Sequence, residues 1–171
     1  MAQQVQELSK FKSVVLKVSK GGVVVSCFSL VVMMLNSTAD VFGRYFFLHP
    51  IDGTWEIVSM AFVVCGAFAI GYTQFIKGHI QINILADRLP PRVRAGVALV
   101  GYIIGLAGSI LIGWQTWLRM WVYAHKTLGG VTVTLSIPIW PFMLILALGF
   151  FWLAIIFLID IYDSIREVIK R

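Results

Sequence analysis

The chain has 171 residues, of which 59% are hydrophobic and 13% charged, and its formal net charge is +6. Its mean hydropathy of +0.88 lies far from water-soluble domains, in which about a quarter of residues are charged, so a soluble globular protein is excluded. The length accommodates several membrane spans with short connections and tails, which predicts a single membrane domain over 1–171.

The chain opens with a segment, about 5–20, that reads as an amphipathic helix. Leu8, Phe11, Val14, Val15 and Val18 share one face, with Lys10, Lys12, Lys17 and Lys20 largely on the other. Such a helix is expected to lie in the membrane interface. Four apolar runs follow, over about 21–43, 57–76, 97–118 and 140–159. Each meets the roughly 20 helical residues needed to cross a hydrocarbon core about 30 Å thick. The first run exceeds signal-peptide length and precedes three more, so it reads as a retained span. Between the second and third, 79–89 carries Ile80, Ile82, Ile84, Leu85 and Leu89 among polar residues and ends at Pro90 and Pro91. It is too short to cross a membrane and predicts a second interfacial arm.

Orientation follows from where the basic residues fall. Lys10, Lys12, Lys17 and Lys20 precede span one, Lys77, Arg88, Arg92 and Arg94 lie between spans two and three, and Arg166, Lys170 and Arg171 follow span four. Only Arg44, Arg119 and Lys126 fall on the other side, so both termini and the middle loop are expected in the cytoplasm. Basic groups at that surface suit anionic lipid headgroups rather than nucleic acid. Trp55, Trp114, Trp117, Trp121 and Trp140 gather at the opposite ends of their spans, as indole rings do at an interface.

Small residues mark where helices approach one another, because association in lipid depends on close packing. Span three carries Gly101, Gly105, Ser109 and Gly113 at four-residue steps, and span two carries Ala61, Cys65, Ala69 and Thr73. Both are expected contact faces, toward either another helix of the chain or another subunit. Polar groups at membrane depth are few: Asn36, Asp40 and Arg44 on one face of span one, Gln74 in span two and Gln115 in span three. Asp40 and Arg44 are placed to pair. Glu56, at the start of span two, is expected either at the positive end of the helix dipole or paired across to Arg44.

Chemistry is sparse. No serine or cysteine nucleophile has an adjacent base and there is no metal-binding signature, so no enzyme activity, cofactor or metal is expected. Cys27 and Cys65 lie in different spans, and His49, His79 and His125 lie in loops. A proton or ion carrier would want an unpaired carboxylate deep in the helices. Two readings remain: an accessory subunit of a larger transporter, and a self-contained four-helix transporter working as a homodimer.

The order of motifs then narrows the choice. Arg44-Tyr45 ends span one, Trp55-Glu56 opens span two, Gly66-Ala67 lies in its middle and Lys77-Gly78-His79-Ile80 at its exit. Leu89-Pro90-Pro91-Arg92 precedes span three, and Ser136-Ile137-Pro138-Ile139-Trp140 precedes span four. This arrangement resembles the small membrane subunit, the DctQ component, of tripartite ATP-independent periplasmic (TRAP) transporters. The chain departs from the family where Phe75 and Ile76 replace a common arginine and where Asn83 replaces an aspartate, with Lys77 as the nearby basic group.

The resemblance implies an all-α polytopic protein with four transmembrane helices plus amphipathic interfacial helices, set in a bacterial inner membrane. It implies a large permease subunit that holds the sodium and substrate sites, and a periplasmic substrate-binding protein that delivers an organic acid. The small subunit would be a non-catalytic scaffold in contact with membrane lipids. Arg44, Trp55, Glu56, Lys77 and His79, with the Gly101, Gly105, Ser109 and Gly113 face, are the expected assembly residues. Asp52 and Lys126 are the candidates for touching the binding protein.

Overall fold

The computed structural model describes residues 2–76, 91–125 and 130–169. The arm expected over 79–89, and Lys77, His79 and Lys126, lie outside the described residues. Among those described there are four helices: α1 (Ala2–Phe47), α2 (Thr54–Phe75), α3 (Pro91–His125) and α4 (Trp140–Ile169). Each contains a stretch long and apolar enough to cross a membrane, Ser13–Phe47, Thr54–Phe75, Gly96–His125 and Trp140–Ile165. The protein is all-α and polytopic, as its apolar runs predict.

The helix boundaries follow local chemistry. Gly53, with φ of 81°, precedes α2 in a left-handed conformation that a side chain would strain. Pro91 opens α3, and Pro141 lies in the first turn of α4, where a missing N–H costs no helical hydrogen bond. The largest difference from the sequence reading concerns α1. The segment read as a separate interfacial helix and the first span form one continuous helix of 46 residues, roughly 69 Å long at 1.5 Å per residue. No proline interrupts residues 2–47, and Gly22 at the Gly21-Gly22 step is buried against Phe68 of α2. Val15 and Ser19, inside the stretch expected at the interface, are buried as well.

Contacts define the topology. Ser26 donates to the Cys65 carbonyl at 2.9 Å and Asn36 to the Thr54 carbonyl at 3.3 Å, so α1 and α2 form an antiparallel hairpin. Gly105 faces Phe157 and Gly113 faces Phe150 and Phe151, making α3 and α4 a second antiparallel hairpin. The two hairpins join through α2 and α4, which run parallel: Ala67 meets Gly149, Gly71 meets Trp152 and Ile156, and Gln74 meets Asp160. The helices therefore lie in the order α1, α2, α4, α3, with extensive packing only between neighbours in that order among the described residues. Both hairpin loops are at one end of this array, and the N-terminus of α1 and the C-terminus of α4 are at the other.

The face that α1 turns inward has a strict period. Val15, Ser19, Gly22, Ser26, Ser29, Met33, Asn36 and Asp40 alternate steps of four and three, the spacing of a coiled-coil seam. Most are small or polar, so the backbones approach closely while two of the hydroxyls bond carbonyls: Ser26 also reaches Gly22 O at 3.1 Å, and Ser29 donates to Val25 O at 3.0 Å. The opposite faces, with Phe28, Met34, Leu35, Phe62, Ile104 and Leu111, are exposed and compatible with lipid.

At the end carrying the termini, α1, α2 and α4 converge. Val15, Ile156 and Ile159 form a buried cluster flanked by Phe75 and Trp152. Beside it the Trp152 indole N–H donates to Ser19 Oγ at 3.1 Å, and Gln74 Nε2 donates to the buried Asp160 carboxylate at 2.8 Å.

Two substitutions test the joining seam. A methyl group on Gly149 would stand 2.7 Å from the Ala67 carbonyl oxygen and 2.9 Å from its Cα, main-chain atoms that cannot rotate away. Gly149→Ala is therefore expected to destabilise the protein by about 1–3 kcal/mol, read as a lower unfolding midpoint in detergent. Gly66→Ala, with nothing within 4 Å, should leave the midpoint unchanged or slightly raised. For the polar contact, a double-mutant cycle of Gln74→Leu and Asp160→Asn should return a coupling of about 0.6–1.7 kcal/mol, the range for hydrogen bonds between membrane helices.

Candidate functional site

The polar groups that the sequence singles out meet at the hairpin-loop end. Asn36, Asp40 and Arg44 lie one turn apart on α1, and Asp40 and Arg44 pair as their spacing predicts, with Arg44 Nη2 2.6 Å from Asp40 Oδ2. The second Asp40 oxygen accepts the Ile51 backbone N–H at 2.9 Å. One buried carboxylate thus holds both the guanidinium and the turn leading into α2. The Arg44 side chain itself remains 63% exposed, because the aspartate occupies only one edge of its fork.

Glu56 behaves differently from one of the two expectations. It does occupy the first turn of α2, where the helix dipole favours a carboxylate. No pair with Arg44 is present among the described contacts, and Arg44 is engaged by Asp40. Instead Glu56 Oε1 accepts the Thr134 N–H at 2.7 Å and Oε2 accepts the Leu135 N–H at 2.8 Å. The receiving loop is a small frame: Val131 and Pro138 form a bridge, Thr132 N–H donates to Ile137 O at 2.9 Å, and Ile139 N–H donates to Gly130 O at 2.8 Å. Leu135 packs over Gly53, leaving no room for a Cβ there.

Around this polar centre the surface is aromatic. Trp55 is 81% exposed, and Phe42, Tyr45 and Phe46 stack edge and face with centroids 5.6 and 5.4 Å apart. Trp114, Trp117, Trp121 and Trp140 are also exposed. Asp52 is exposed in the turn before α2. His49 and His125 are exposed too, their rings against the Pro50 and Trp121 carbonyls. Among the described residues no group of three or more His, Cys, Asp or Glu is placed to hold a metal.

The small-residue face of α3 resolves into two parts. Gly105, Ser109 and Gly113 lie in the α3–α4 seam, and the buried Ser109 hydroxyl donates to Leu106 O at 2.9 Å. Gly101 faces open space. On α2 the expected Ala61, Cys65, Ala69 and Thr73 row contributes Cys65 to the α1 contact, while the buried face toward α4 is Ala67, Gly71 and Gln74. Sequence reasoning singled out Gln74 but not the face it shares with Ala67 and Gly71, and missed Ser19, Trp152 and Asp160. Their signals were present: the four-and-three step of the α1 serines, and a carboxylate one residue beyond the boundary drawn for span four.

A comparison with curated proteins gives no match. The family model described as "Tripartite ATP-independent periplasmic transporters, DctQ component" matches residues 33–167, a range that contains the Asp40–Arg44 pair, the Glu56 contact and the seam between the hairpins. The chain belongs to the DctQ family, the small multi-pass membrane component of TRAP transporters.

Proposed function

We propose that the chain is the non-catalytic small subunit of a sodium-coupled, binding-protein-dependent organic-acid importer, forming part of the fixed scaffold against which the large permease moves its transport domain. The observation that carries this reading is the use made of polar side chains. Asp40, Gln74, Asp160, Ser19 and Ser26 are engaged in contacts within the chain. Among the described residues no buried side-chain polar atom lacks a hydrogen-bond partner. A transport path needs polar groups available to a passing solute, whereas a scaffold needs them holding helices together. Sodium and substrate sites are then assigned to the large permease, and delivery to a periplasmic binding protein.

The same reading puts both termini and the 77–90 connection in the cytoplasm of a bacterium, with the hairpin loops facing the periplasm. It rests on the basic residues of the sequence and on the single end of the array that carries both termini. The chain acts as one membrane domain over 1–171. Arg44 and Trp55, exposed beside the loops, are candidate contacts for the permease, as is Gly101 on the open side of α3. Lys77 and His79 keep that role from the sequence alone. Glu56, Gly105, Ser109 and Gly113 act on assembly from within, by holding the hairpins in the shape that is presented. Asp52 and Lys126 are candidate contacts for the binding protein.

Two measurements test this. The chain reconstituted alone in vesicles should give no organic-acid flux above empty-vesicle background, and purification from native membranes should recover a larger permease in stoichiometric amount. A bare homodimer with flux of its own would instead establish the self-contained transporter. Arg44→Ala should lower recovery of the permease complex while leaving sodium affinity unchanged in the complex that survives. Normal recovery with altered sodium affinity would reject the scaffold role.

A further inference from the structure

The contact between Glu56 and the 130–139 loop has the make-up of a ligand site. Two consecutive backbone N–H groups, of Thr134 and Leu135, point at the two oxygens of one carboxylate, at 2.7 and 2.8 Å. Thr132 of the same loop is held in place: it is buried, and its Oγ1 accepts the Ile137 N–H at 3.0 Å. Both donors therefore come from one short loop, and together they serve an anion with two oxygens. Convergent backbone N–H groups of this kind form anion-binding concavities, and hydrogen bonds to a charged acceptor are about twice as strong as neutral ones.

The loop is not in a relaxed conformation of its own choosing. Ser136 has φ of 54°, a left-handed geometry that persists in a residue with a Cβ only where neighbours enforce it. Leu135 sits within 3 Å of where a Cβ on Gly53 would be, so the loop is pressed against the turn that introduces α2. The carboxylate comes from the first hairpin and its donors from the second. Among the described residues this is the hydrogen-bonded contact that joins the two hairpins at their loop end, as Gln74 and Asp160 join them at the other.

We propose that the 130–139 loop is a carboxylate-receiving site, filled in cis by Glu56, and that its occupancy latches the loop ends of the two hairpins together. The ligand class is a small carboxylate. The latch is independent of whether the subunit serves as a scaffold, since its formation requires no permease or solute.

Amide hydrogen exchange on the full chain in lipid nanodiscs tests it. In Glu56→Ala the Thr134 and Leu135 amides should exchange faster by about tenfold or more, the loss expected for hydrogen bonds to a charged acceptor. Amides of α3 and α4 around Gly105–Gly113 and Phe150–Phe157 should keep their protection. Sodium acetate, compared with sodium chloride at equal ionic strength, should restore protection at Thr134 and Leu135 in Glu56→Ala and leave the unaltered protein unchanged. Glu56→Gln, which keeps one oxygen acceptor in nearly the same shape, should fall between the two. If Glu56→Ala loses protection throughout its helices, Glu56→Gln alone decides. Unchanged exchange at both amides in the variant that folds, or no response of a folded Glu56→Ala to acetate, overturns the proposal.

Discussion

The parallel contact between α2 and α4 is the constraint on which the remaining structure depends. Each hairpin is self-sufficient in the sense that a short loop holds its two helices side by side, but nothing in the covalent chain brings α2 against α4. In lipid the hydrophobic effect does little to drive two apolar helices together. What remains is dispersion over a close interface and a few hydrogen bonds. Gly149 supplies the closeness, since only a residue without a side chain lets α4 rest on the main chain at Ala67. Once that point is made, Trp152 and Ile156 can cover Gly71, and Asp160 comes within reach of Gln74.

Polar contacts reinforce this seam at its two ends. At the terminal end Gln74 holds Asp160, and Trp152 ties α4 to Ser19 of α1. At the loop end Glu56 reaches the second hairpin, and Asp40 organises the turn of the first. The middle of the array is left to small residues packed under aromatic and aliphatic side chains, and to serine hydroxyls that bond main-chain carbonyls. That division is economical in a membrane, because an unsatisfied polar group at mid-depth costs several kcal/mol, while one near the interface has water as an alternative partner.

The legibility of these features varies with how local they are. The four spans are readable from length and apolarity, and the Asp40–Arg44 pair from a four-residue step, since both depend on residues close in sequence. The small face of α3 is readable as a contact face but not in its direction; Phe157 of α4 occupies the space over Gly105, and no pattern within α3 announces that. The heptad of α1 was legible in principle, yet it is written in serine, glycine and asparagine rather than in the leucines that usually mark such a seam. The continuity of α1 was hidden by its lysines, which suggest an interfacial segment, although the backbone has no proline to break it.

Glu56 marks the limit most clearly. Its position at a helix start identifies a favourable place for a negative charge, and its proximity in sequence to Arg44 suggests a partner. Its partners are instead two backbone N–H donors about 80 residues away, from a loop whose shape depends on its own internal hydrogen bonds. By itself the sequence determined that this is a membrane protein of four spanning helices, which motifs it shares with a family, and where its charges and aromatic rings concentrate, because these follow from composition and from spacing along one helix. Only the tertiary structure decided that the helices lie side by side in the order α1, α2, α4, α3, which small faces are buried within the chain, and which donors each carboxylate meets. Those outcomes depend on distances between segments remote in sequence, set in lipid by how closely two backbones can approach.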